Sequence, residues 1–121
     1  MDVFIFLQLR RKTMPVYNKL VRDKILEILE SDGLSYNAKV LEAQDFLKEV
    51  KVKMVEEAKE FQQAENVQEM VEELADLLEL VHTAINALGI SYKELEDIRA
   101  HKKVKRGGFE QAIYLLDVED K

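Results

Sequence analysis

The sequence predicts an all-α fold: an antiparallel helical bundle of about four helices, with a minor β-strand or hairpin element near the termini. Three observations carry this. Apolar residues recur at helical spacing through two long stretches, and cap-forming residues bracket those stretches. One Pro and four Gly in 121 residues are a composition that helices tolerate better than a many-stranded sheet with its turns.

Residues 1–13 are read as an N-terminal extension and residues 14–121 as a single helical domain. Val3 to Leu9 is apolar but far short of the roughly 20 residues that span a bilayer. Its basic residues follow the apolar run, the reverse of a signal peptide. The segment is therefore expected to be an extra strand, or an upstream stretch ahead of a start at Met14. With no targeting signal in it, a cytoplasmic location is the expectation.

The first helix is predicted from about Asn18 to Ser31, stopping at the turn signal Asp32-Gly33. Residues 34–42 read as a connection, and the second helix runs from Ala43 or Gln44 to Glu65. Asn66 with Glu69 three residues on is a capping box that opens a third helix, which ends at Leu88 before a C′ glycine, Gly89. Ser91 and Glu94 repeat the capping box for a fourth helix, which ends near Arg106 ahead of Gly107 and Gly108. Phe109 to Val118 reads as a β-strand centred on Ile113, Tyr114 and Leu115, with a partner near Val16-Tyr17 or in Val3 to Leu9.

The chain has no cysteine, which excludes disulfides, thiolate nucleophiles and cysteine-based zinc sites. A net charge of −6 argues against general nucleic-acid binding, although a local basic patch could still hold a small polyanion.

The chemistry concentrates in Glu56-Glu57-Ala58-Lys59-Glu60 and Glu73-Leu74-Ala75-Asp76. Carboxylates at i and i+3 share one side of a helix and repel each other unless a cation joins them. At about 100° per residue, Glu57 falls inside the apolar arc of Phe46, Leu47, Val50, Met54, Ala58, Phe61 and Ala64, and Glu60 lies at its border. Glu73 falls inside the edge of the arc of Met70, Leu74, Leu77, Leu80, Val81, Ala84 and Leu88, with Asp76 just beyond. If those faces meet, four carboxylates converge. Unpaired burial of such charges costs several kcal/mol each, and an all-oxygen donor set favours Mg²⁺, with Mn²⁺ as a substitute. The competing reading is a solvated face or an ion pair, and Lys53, four residues before Glu57, is a ready partner.

Glu57-x-x-Glu60, twelve intervening residues, then Glu73-x-x-Asp76 resembles the metal motif of MazG-like nucleoside triphosphate pyrophosphohydrolases, in the all-α NTP pyrophosphatase group. Tyr17-Asn18-Lys19-Leu20-Val21-Arg22-Asp23-Lys24-Ile25 and Lys105-Arg106-Gly107-Gly108-Phe109 resemble stretches of a small MazG-like branch. The resemblance spans residues 14 to about 115. It implies cleavage between the α- and β-phosphates to a nucleoside monophosphate and pyrophosphate, as in house-cleaning of nucleotide pools. It also implies Glu57, Glu60, Glu73 and Asp76 as Mg²⁺ ligands. The catalytic candidates are Glu56, Glu57 and Glu60, with Glu56 or Glu60 as general base. A phosphoribosyl-ATP or dUTP-type pyrophosphohydrolase is the nearest alternative, and a non-catalytic helical interaction module is the alternative from another class.

Lys102, Lys105 and Arg106 end the fourth helix. There they suit the helix dipole, and the resemblance raises phosphate binding as an equal alternative. Lys19 and Arg22 begin the first predicted helix, where cations oppose the dipole. Either phosphate contact or a salt bridge of Arg22 or Asp23 accounts for them. His82 and His101 are expected to be structural or exposed, since Glu79-x-x-His82 has no second copy to complete a di-iron site. Val71, Leu78 and Ile85 widen the apolar arc of the third helix, predicting a homodimer or homotetramer. The expected partner is a nucleoside triphosphate substrate, with no nucleic acid polymer and no membrane.

Overall fold

The computed structural model describes residues 16–120. They form four helices: α1 (Ile25–Ser31), α2 (Ala43–Gln63), α3 (Val67–Leu88) and α4 (Tyr92–Arg106). The α2–α3 hairpin, joined by residues 64–66, is the body of the fold, and α4 leaves α3 at a bend of 113°. No single described helix is long and apolar enough to cross a membrane.

Capping sets the boundaries as the sequence requires. The Asn66 side chain accepts from the Glu69 amide at 2.9 Å, and the Ser91 hydroxyl oxygen accepts from the Glu94 amide at 3.1 Å. In the first box the reciprocal bond reaches one residue further back: the Glu65 amide donates to Glu69 Oε2. Gly89 lies in the left-handed region at φ 74°, and the Gly89 and Ile90 amides donate to the Asn86 and Ile85 carbonyls. That paired arrangement satisfies the last carbonyls of α3 where a side-chain-bearing residue would be strained.

Two expectations are corrected. The first helix begins at Ile25, not Asn18. Asn18 adopts φ 45°, and no side chain caps the start at Lys24, so residues 16–22 run irregularly while Lys19 and Arg22 reach across to the hairpin. The expected strand at 109–118 does not form, and among the described residues there is no strand. A strand needs a neighbour for its amides and carbonyls. Here Phe109 to Ala112 make a turn, and Ile113, Tyr114 and Leu115 stay exposed. The Val3 to Leu9 strand lies outside the described residues.

The inward line of α2 differs from the expected arc. Its buried residues are Val50, Lys53 and Glu57, whereas Ala58 is exposed and Phe61 is 37% exposed. On α3, Ile85 is buried while Val71, Leu74, Leu78 and Leu88 are at least half exposed. The His82 ring stacks on Tyr92 with centroids 4.8 Å apart, fixing the α3–α4 corner, so His82 is structural.

Candidate active site

The hairpin brings the two acidic motifs together. Glu57, Glu73 and Asp76 each offer a carboxylate oxygen within 4.8 Å of the others, and Glu56, Glu57 and Glu60 do the same. Glu57 belongs to both groups and is only 1% exposed, so it is the hub. It lies one turn after Lys53 and two turns after Val50, on the face that meets α3.

The electrostatics are those of an acid cluster only partly offset by the cations that border it. Glu57 Oε2 and Glu73 Oε2 are buried without a hydrogen-bond donor. Burial pushes the Glu73 carboxyl up to about 9, reinforced by hydrogen bonds to Glu57 and Glu60 and by their negative charges. Those hydrogen bonds need a proton on Glu73, because two ionised carboxylates only accept. At neutral pH the cluster therefore retains a proton where a cation is absent.

Three cations border it. Lys19 Nζ donates to Glu56 Oε1 at 3.2 Å, and Arg22 donates from a terminal guanidinium nitrogen to Asp76 Oδ1 at 2.6 Å. Arg22 thus forms a salt bridge, with Asp76 as its partner. Lys53 Nζ lies 3.5 Å from Glu56 Oε1 and 3.7 Å from Glu57 Oε1. Beside the cluster opens a cavity of about 520 Å³, whose lining includes the charged Lys53, Glu57 and Asp76 and the apolar Ile25, Phe46 and Leu80.

Lys102, Lys105 and Arg106 line a different, shallow cleft of about 360 Å³ whose lining comes entirely from α4, including His101. No carboxylate of the cluster borders it. The apolar cavity lining went unread in the sequence. The signal was Asp76, Glu79, Leu80 and Thr83, a set at i, i+3, i+4 and i+7 that continues the face of Asp76 along α3 and lines the cavity.

The donor set fits a hard divalent ion. It is all oxygen, and it includes two buried carboxylate oxygens with no donor. Glu57, Glu60, Glu73 and Asp76 are the residues that would hold it.

A sequence profile for phosphoribosyl-ATP pyrophosphohydrolase matches residues 16–103, which cover both acidic motifs and most of the chain. The chain belongs to the phosphoribosyl-ATP pyrophosphohydrolase family. That family lies in the MazG-like all-α NTP pyrophosphatase superfamily, so the resemblance read from the motifs holds at the superfamily level. Membership makes the domain a hydrolase of phosphoanhydride bonds with a nucleotide substrate. The Lys105 to Phe109 stretch falls beyond the matched residues. No curated protein and no solved structure matches the chain significantly.

Proposed function

We propose that the protein is a divalent-metal-dependent pyrophosphohydrolase that cleaves the α–β phosphoanhydride of a phosphoribosyl-ATP-type nucleotide, releasing a monophosphate and pyrophosphate. The observation that carries this is the junction of Glu57 and Glu73, two carboxylates on facing helices that each bury an oxygen with no donor. The family match supports the substrate type.

The chain's residues divide the work. Glu57, Glu60, Glu73 and Asp76 hold the ion, Mg²⁺ or Mn²⁺. When bound it supplies electrophilic stabilisation of the phosphoryl oxygens. Glu56 borders the cluster and is oriented by Lys19 and Lys53 through one oxygen. Its carboxylate would take the proton of the attacking water as the new bond to the α-phosphorus forms and the bridging bond to the β-phosphate breaks. Lys19 and Arg22 each pair with a carboxylate of the site and are the nearest candidates to exchange those partners for substrate phosphates. Ile25, Phe46 and Leu80 give the cavity apolar lining suited to the face of a base.

Lys102, Lys105 and Arg106 at the basic end of α4 are further candidates to hold substrate phosphates. Arg106→Ala tests this: a tenfold fall in kcat/KM carries the role, and wild-type kinetics leaves Lys102, Lys105 and Arg106 as a dipole-satisfying helix end.

A second reading, hydrolysis of ordinary nucleoside triphosphates as in MazG-like enzymes, is favoured by the stretches Tyr17 to Ile25 and Lys105 to Phe109. One assay separates the two. Phosphoribosyl-ATP, ATP, dUTP and the other nucleoside triphosphates are incubated with Mg²⁺ and scored for pyrophosphate and monophosphate. Preferred turnover of phosphoribosyl-ATP is expected. Preferred turnover of an unsubstituted nucleotide supports the second reading, and the absence of pyrophosphate from every substrate overturns both.

A further inference from the structure

Lys53 is an unusual lysine. Its side chain is 10% exposed, and its Nζ is buried with no hydrogen-bond partner. Lysines are rarely buried this far without close acceptors. Glu56 Oε1 at 3.5 Å and Glu57 Oε1 at 3.7 Å attract it without bonding it. Lys19 differs. It rises from the irregular segment, bonds Glu56 at 3.2 Å and is more exposed. Lys53 also borders the 520 Å³ cavity together with Glu57 and Asp76.

We infer that Lys53 is an internal counter-cation: a positioning residue that gathers Glu56 and Glu57 in the metal-free protein and weakens the hold on a free divalent ion until the nucleotide arrives. This rests on the metal-site reading above. An ion that engages Glu57 enters a site where an ammonium already pairs with that same carboxylate. Repulsion between them is poorly screened because the Lys53 side chain is only 10% exposed. The nucleotide's phosphates reverse the balance. They bring negative charge next to both cations and offer Lys53 the acceptors it lacks. Metal and nucleotide therefore strengthen each other's binding, and the coupling is the same in either order of addition. Lys53 thereby favours loading of the metal–nucleotide complex over loading of bare metal.

The test uses the full chain as wild type, Lys53→Met, Lys53→Gln and Lys53→Arg. Mn²⁺ binding is followed by electron paramagnetic resonance, without nucleotide and with α,β-methylene-ATP. Circular dichroism records the helix content of each variant. Both neutral variants are expected to bind free Mn²⁺ at least tenfold more tightly than wild type and to lose most of the enhancement by α,β-methylene-ATP. Lys53→Arg should stay within threefold of wild type in both respects. A purely structural lysine would leave Mn²⁺ affinity unchanged or weaken it on removal, and that result in whichever neutral variant remains helical overturns the inference. If wild type binds no Mn²⁺ with or without the analogue, the metal-site reading fails and the inference with it. Wild-type binding with no gain in the neutral variants sinks the role of Lys53 alone.

Discussion

Glu73→Gln isolates the proton held by the metal-free cluster. Folding raises the Glu73 carboxyl from 4.5 to about 9, through burial first and then its contacts with Glu57 and Glu60. Between those values the folded state keeps a proton that the unfolded state has lost. Stability from this group is therefore highest at the acid end and declines as pH rises toward 9. A whole proton would give a slope of about 1.4 kcal/mol per pH unit. Glu73 is only partly shielded from solvent, and screening reduces this to on the order of 0.5 kcal/mol per unit. From pH 5.5 to 8.5 that accumulates to roughly 1 to 2 kcal/mol, or about 5 °C or more in Tm for a small domain. Glutamine reproduces the neutral acid in shape and cannot ionise. In EDTA, wild-type Tm should fall over this range by several degrees more than that of Glu73→Gln, and the two should melt alike near pH 5.5. Mg²⁺ should flatten the wild-type decline by replacing the proton, and should do little for the variant. Scanning calorimetry in matched buffers decides it. Equal pH slopes in EDTA, or a variant already unfolded at pH 7, would refute the reasoning.

Further outcomes follow from the same geometry. Glu57→Gln should lower kcat at least a hundredfold while keeping its helical circular dichroism, because it neutralises a buried carboxylate whose Oε2 has no donor. Collapse of the helical signal would instead make Glu57 a structural ion-pair partner. Arg22→Ala should raise KM at least tenfold with a small change in Tm, since Arg22 is substantially exposed and exposed pairs contribute at most about 1 kcal/mol. Unchanged KM would leave Arg22 as a tether only. Light scattering at micromolar concentration should give a dimer or tetramer, and Leu78→Asp should shift it toward monomer. Leu78 is 50% exposed, and Val71, Leu74 and Leu88 on the same helix are at least as open. A wild-type monomer rules out oligomerisation through this surface.

The long elements were legible because their signals are local. Asn66, Gly89 and Ser91 act within one turn of themselves, and the structure uses each as read. The meeting of Glu57 with Glu73 and Asp76 was legible because both carboxylate pairs lie on or beside an apolar arc. What failed to show was anything set by distant partners. Periodicity extended α1 back to Asn18, but the ion pairs of Lys19 and Arg22 lie 37 and 54 residues away in sequence. The Phe109 to Val118 segment has strand composition, yet a strand is defined by a neighbour that composition does not supply. The arc of α2 was averaged over its whole length, which placed Ala58 and Phe61 inward and understated Lys53. The cavity wall mixes residues of the irregular segment, α1, α2 and α3, a combination no window of sequence contains.

Val50 and Glu57 are the largest fully buried side chains among the described residues, so one of the deepest positions of the hairpin carries a carboxyl group rather than a hydrocarbon. A protein built this way has its binding equilibrium wired into its melting curve. Whatever satisfies Glu57 also supplies cohesion that the apolar interior leaves out, and added stability grows as RT ln(1 + [L]/Kd) for a ligand that only the folded state binds. Thermal shift becomes a means of identifying cargo without assuming any reaction. Candidate nucleotides, each with a divalent ion, can be ranked by the temperature at which the hairpin lets go, and the order should follow affinity even for compounds the enzyme never turns over.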